Sequence, residues 1–209
     1  MSEAETPTRR AYRSPRRQQQ ATQTRATILE AATRLFGDKG WAATGMRDVA
    51  REAGVSVETV YSSFGSKKDL LMAAIDVAVV GDAEPVPLDQ RPEFVALGTG
   101  SRVERVRAAA RLVTGIHQRT MGVNLALREA AASDADLDRM MRDREQGRRD
   151  NVEDGMSLIV GHRVSEQRGD ALWAVVDIGL YRLLTDLRGW SPEQYETWLA
   201  DAIDRLLGD

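Results

Sequence analysis

Residues Thr44 to Lys67 read TGMRDVAREAGVSVETVYSSFGSK. Met46, Val49, Ala50 and Ala53 fall at i, i+3, i+4 and i+7, one apolar face of a short helix. Thr44 is a hydroxyl residue at its start and a candidate N-cap. Gly54 supplies a turn position that tolerates positive φ. Ser56 caps again, and Val57, Val60 and Phe64 give a second helix an inward face. At 100° per residue this leaves Glu58, Thr59 and Ser62 outward, with Tyr61 and Ser63 on the flanks. Gly65 ends the helix, and Ser66-Lys67-Lys68-Asp69 opens another with a cap and an acidic residue at the capping-box position. Two short helices about a tight turn are the pattern of a helix-turn-helix, whose second helix enters a DNA major groove.

Upstream, Ile28, Ala31, Ala32, Leu35 and Phe36 form a complete helical stripe, so the spacing predicts a helix over 22–39, stopped by Gly40, with Trp41 packed under the motif. Residues 1–21 are polar, with Pro7, Pro15 and an Arg cluster at Arg9, Arg10, Arg13, Arg16 and Arg17. They are expected to be a disordered basic arm, either a solubilising tail or a strand along DNA phosphates. Downstream, Leu70, Leu71, Ala74, Ile75 and Ala78 predict a helix over 67–80.

From Arg25 to about Leu71 the chain resembles the TetR-type transcriptional regulators. The resemblance rests on the stripe ending Leu35-Phe36, then Gly40, Thr44, Val49-Ala50, Ala53-Gly54-Val55-Ser56, Thr59-Val60-Tyr61, Phe64 and Ser66-Lys67. It implies an all-α protein: a three-helix DNA-binding head within 22–82, a linker over 83–100, and a helical effector-binding and dimerisation body over 101–209. It also implies a homodimeric cytoplasmic repressor that holds a pseudo-palindromic double-stranded operator and is released by a small-molecule effector. On this reading Thr44, Arg47, Ser56, Tyr61, Ser63 and Lys67 hold phosphates, and Val57, Glu58, Thr59 and Ser62 face bases. Glu58 departs from the family, where that position is usually small; its carboxylate must avoid the DNA backbone, accept from a cytosine amino group or pair with an Arg. The helix over 67–80 would connect head to body and set the spacing of the two recognition helices.

Composition agrees with a soluble globular chain of 209 residues, 42% hydrophobic and 29% charged. Residues 1–70 hold 12 Lys and Arg against 8 Asp and Glu, a net of +4, and residues 71–209 hold 17 against 24, a net of −7. That asymmetry suits a protein with one end on a polyanion. There is no cysteine, which excludes disulfides and thiol chemistry and fits a cytoplasmic protein. No apolar run nears the ~20 residues of a membrane span. His117 and His162 are the only histidines, too far apart for a local metal motif, and no nucleophile elbow or phosphate loop occurs. The expectation is therefore no enzyme, no cofactor and no metal.

Prolines 85, 87 and 92 with Gly98 and Gly100 mark 81–100 as a loop with at most a helical turn near Glu93 to Leu97. The body reads as helices over about 102–120, 123–132, 135–160 and 165–188, and one opening at Ser191-Pro192-Glu193-Gln194. By resemblance the last two helices form the dimer interface, through Leu172, Val176, Leu180, Leu183, Leu187, Trp198, Ala202, Ile203 and Leu206; the plain alternative is intramolecular core. An effector pocket would be lined by His117, Met121, Asn124, Met140, Met141, Arg144, Trp173, Asp177 and Tyr181. Arg144 and Arg148 on an otherwise apolar stripe either bind an acidic effector or pair with acids across the bundle. Two other classes stay open: an activator or architectural DNA-binding protein, and a helical binding protein or enzyme with a vestigial head.

Overall fold

A computed structural model describes residues 15–208, and all its regular elements are helical. α1 (Pro15–Lys39), α2 (Met46–Ala53), α3 (Val57–Phe64) and α4 (Lys67–Val80) form the head. α5 (Pro92–Val95), α6 (Arg102–Ala131), α7 (Ala135–Val160), α8 (Glu166–Val175), α9 (Ile178–Arg182) and α10 (Pro192–Leu207) form the body. Among the described residues no helix is long and apolar enough to cross a membrane.

The stripe of α1 is buried as its spacing requires: Ile28 and Ala32 are fully inaccessible, and Phe36 stacks on Trp41 with ring centres 6.0 Å apart. α1 starts at least seven residues before the expected 22. Residues 16–22 are exposed helix, because Gln, Ala and Arg favour a helix even where there is nothing to bury. Arg9, Arg10 and Arg13 lie outside the described residues.

The caps of α3 and α4 are local and match the sequence. Ser56 Oγ accepts from the Thr59 N–H at 3.1 Å and Ser66 Oγ from the Asp69 N–H at 3.1 Å. The start of α2 differs. Its N-cap is Gly45, whose N–H donates to Asp48 Oδ2 at 3.0 Å, while Thr44 is buried with its hydroxyl on the Leu35 carbonyl at 3.0 Å. Gly54 takes φ 68° in the turn between α2 and α3.

In the body, the two helices expected over 102–120 and 123–132 are one, α6. Gly122 does not break it; it lets α1 approach, and a Cβ there would stand 2.6 Å from Gly37 Cα. The helix expected over 165–188 is instead broken at Val176-Asp177. Asp177 caps α9 by accepting from the Gly179 N–H at 2.7 Å, and a π turn follows over Leu183–Leu187. α7 spans its expected range with Asp134 as the cap, and α10 has the full box between Ser191 and Gln194 (2.8 and 3.2 Å). The helical turn expected in the linker near Glu93 to Leu97 is present as Pro92–Val95, and Phe94 and Leu97 are buried in the body core.

Two cores result. One joins α1–α4 to Val123, Ala126, Leu127 and Ala130 of α6 and Leu137 of α7; the other joins α5, α6, α7, α8 and α10. α6 therefore runs through both and couples head to body as a single rod.

Candidate nucleic-acid interface and body cavity

α3 is anchored by Val60, fully buried, and Phe64. Its other face carries Glu58, Tyr61 and Ser62 to solvent, with Tyr61 51% exposed. Thr59 and Ser63 are half-buried on the flanks, and Arg47 is exposed on α2. Val57 is half-buried and packs on the head core, so it faces inward more than toward a base. The hydroxyls of Ser62 and Ser63 both donate to the Thr59 carbonyl, at 3.0 and 2.8 Å, and Ser56 Oγ lies 3.0 Å from Thr59 Oγ1. Small side chains tied back to their own helix leave its backbone close to whatever it meets. Glu58 is held below the usual carboxylate range by its own backbone N–H and then by the Ser56 hydroxyl, so it is ionised in the first turn, where the helix dipole favours a negative charge.

Two expected phosphate ligands are placed otherwise. Thr44 is 1% exposed and has no surface to offer. Lys67 turns inward: Nζ donates to the Trp41 carbonyl at 2.5 Å and sits 3.9 Å from the Trp41 ring centre, and burial lowers its pKa. Both residues shape the loop between α1 and α2. That loop has a third holder invisible in local sequence: Glu129 of α6 accepts from the Trp41 N–H at 2.8 Å and the Ala42 N–H at 3.2 Å.

α4 is fastened to the body along its length. Lys68 pairs with Asp134 at 2.7 Å and Asp136 at 3.3 Å, Asp76 pairs with Arg144 of α7, and Arg119 of α6 donates to the Ala78 and Val79 carbonyls, both at 2.9 Å. The Lys68–Asp134 contact holds the Asp134 carboxyl below its usual range and raises the pKa of Lys68.

Beside α4 lies a cavity of about 720 Å³, walled by α4, α6, α7 and the linker. Of the expected pocket residues it takes in His117, Asn124, Met141 and Arg144. Met121 and Asp177 instead line a second depression of about 560 Å³, shared with Asn124, while Met140, Trp173 and Tyr181 line neither. Periodicity cannot tell a core face from a cavity face, which is why these were not separable. His117 is buried between Tyr181 and Tyr195. Its Nε2 is 3.2 Å from the Val176 carbonyl and its Nδ1 3.4 Å from the Tyr195 hydroxyl, so Nε2 carries the hydrogen and Nδ1 accepts. Desolvation takes its pKa down to about 4, and burial raises that of Tyr195. The Arg144 and Arg148 question resolves in favour of pairing: Arg144 with Asp76, Arg148 with Glu145 at 2.8 Å and Asp177 at 3.5 Å, over the Trp173 ring.

Of the expected interface residues, Leu172, Val176 and Ile203 belong to the chain's own core, in one cluster with Met156, Tyr195 and Leu199. Leu183 and Leu187 are 52% and 72% exposed; Leu180, Trp198, Ala202 and Leu206 are half-buried. Leu180, Leu183 and Leu187 surround the second depression with Met121, an unpartnered apolar rim. Among the described residues no cluster of His, Asp or Glu is arranged to hold a metal.

The head is thus a helix-turn-helix on an all-α body. Residues 28–74 match the family described as bacterial regulatory proteins, tetR family. The chain is 41% identical over 61 residues to the HTH-type transcriptional regulator TtgR of Pseudomonas putida, 29% of each chain. It is 39% identical over 67 residues to the HTH-type transcriptional activator FasR of Mycolicibacterium smegmatis, 32% of this chain and 28% of that one. These matches therefore span less than a third of either relative. A putative TetR-family regulator from Rhodococcus sp. superposes with a TM-score of 0.64 at 22% identity, over 89% of this chain and 100% of that one. Residues 28–74 thus carry a TetR-family head, and over 89% of its length the chain has a fold like that of the Rhodococcus protein.

Proposed function

We propose that this chain is a DNA-binding transcription regulator that acts as a homodimer, represses from a pseudo-palindromic operator and is released by a small molecule in the 720 Å³ cavity. The observation that carries it is the outward face of α3, short and polar beside exposed Arg47, on a helix locked into the head by Val60 and Phe64. Arg47, Ser56, Tyr61 and Ser63 are the phosphate-facing set, and Glu58, Thr59 and Ser62 the base-facing set. Exposed Leu183 and Leu187 and the outer face of α10 supply the dimer contact. The ligand acts by preferring one tilt of α4, which the Arg144–Asp76 and Arg119 contacts join to the cavity wall. The activator alternative has one observation behind it, the name of the relative FasR. Selection from a randomised duplex pool tests the reading. It should enrich two inverted half-sites about one helical turn, roughly 34–36 Å, apart; no enriched sequence, or a single unrepeated half-site, would reject it.

A further inference from the structure

We infer that the cavity takes an elongated, uncharged, mainly apolar molecule, of the class of a medium- or long-chain alcohol or ester, and excludes its ionised analogues. This names the effector class of the regulator proposed above and rests on that reading for its meaning, though its chemistry stands on the cavity alone.

The shape comes first. Lining positions on α6 run from Ala109 to Leu127 and on α7 from Met141 to Ile159, each roughly 27 Å of helix axis. A volume of about 720 Å³ stretched over such a length is a channel, not a bowl. Its walls are Leu29, Val77, Leu112, Val113, Ile116 and Val152 and others of the same kind, so an aliphatic chain gains at every step.

Charge comes second. Each charged side chain on the wall except one is already engaged. Asp76 holds Arg144, Asp82 holds Arg91 outside the cavity, Glu145 holds Arg148, and Arg25 donates to the Ser63 carbonyl at 2.7 Å while lying over the Phe64 ring. The exception, Glu84, is exposed to water at the rim. His117 has both ring nitrogens engaged and is neutral above about pH 4. Deep in the channel, away from the exposed Arg25 and Glu84 at its rim, a carboxylate or ammonium would therefore be desolvated without a free counter-charge. Asn151 and the Oδ1 of Asn124, whose Nδ2 already donates to the Thr120 carbonyl at 3.1 Å, are the polar groups left for an uncharged head, and an amide both donates and accepts.

The test is isothermal titration of the full-length protein, without DNA, with decan-1-ol, decanoate and decylammonium at pH 7.5. One chain length with three heads isolates charge. Decan-1-ol should bind at least tenfold more tightly than either ion. Val113→Trp, which fills the channel, should abolish the decanol heat while leaving the helical melt within a few degrees. Equal or tighter binding of decanoate or decylammonium overturns the inference, as does no decanol binding up to its solubility limit, or full binding by a folded Val113→Trp variant. Because DNA is absent, each of these failures is distinct from a failure of the operator reading.

Discussion

Replacing Glu129 is the sharpest way to ask whether the body holds the DNA-reading head in place. Its carboxylate accepts two backbone N–H bonds, from Trp41 at 2.8 Å and Ala42 at 3.2 Å, across the loop that delivers the chain to α2. Gly40 makes room for it: a Cβ there would stand 2.7 Å from Glu129 Oε2, at a φ of 77° that already disfavours a side chain. A hydrogen bond to a charged group contributes about 1.5–3 kcal/mol when shielded. Glu129 is exposed, so water substitutes for part of that and the pair is worth about 1–2 kcal/mol together. Glu129→Ala should lower the melting temperature by about 2–8 °C in a chain of this size. If the loop fixes the angle of α2, operator affinity should fall as well, by about five- to thirtyfold, the same energy read as binding. Glu129→Gln keeps one acceptor oxygen and should fall between the two. Paired scanning calorimetry and fluorescence anisotropy decide it. An Ala variant that melts and binds like the parent, within 1 °C and twofold, refutes the coupling.

Other expectations follow from single contacts. His117 has its pKa lowered to about 4, so the unfolded chain, near 6.5, binds the extra proton first; stability is complete above pH 6.5 and falls as pH drops toward 4. Urea titrations should show a loss of about 2 kcal/mol at pH 5 relative to pH 7.5 that His117→Gln removes. Gly122→Ala forces a Cβ to within 2.6 Å of Gly37 and should cost about 1–3 kcal/mol, whereas Gly147→Ala, with nothing within 4 Å on α7, should stabilise by about 0.5–1 kcal/mol in the same melts. Tyr61→Phe should weaken binding to every duplex alike, and Thr59→Ala should change the preferred sequence at one position of each half-site, by about 1–3 kcal/mol of discrimination. Competition against single-base operator variants separates those two outcomes.

The parts of the fold legible in the sequence are those decided within a few residues. The stripes of α1, α2 and α4, the Ser56, Ser66 and Ser191 caps, and the glycine turn at Gly54 depend on spacing and local hydrogen bonding alone. The misreadings share a cause: the deciding neighbour is far along the chain. The helices expected over 102–120 and 123–132 look separate until α6 runs unbroken through Gly122, against which Gly37 lies. Thr44 looks like a cap until the Leu35 carbonyl takes its hydroxyl. Arg144 and Arg148 leave two readings open, an acidic ligand or acids across the bundle, until Asp76 and Asp177 answer them from elsewhere in the chain. Glu129 gave no signal because its partners are backbone N–H groups 87 and 88 residues away. In the cavity, Met141 and Met140 are adjacent in sequence and only one lines it, a distinction that helix rotation sets and composition does not.

The central claim is that α3 and its neighbours bind DNA specifically, and its most direct test is anisotropy of a labelled selected operator over a salt series with random duplex in excess. The account predicts competitor-resistant binding whose affinity falls steeply and linearly in log–log form with salt, and a shallower slope for Arg47→Ala as one phosphate contact is lost. Binding that is indifferent to salt, or no tighter to the operator than to random duplex, would contradict it.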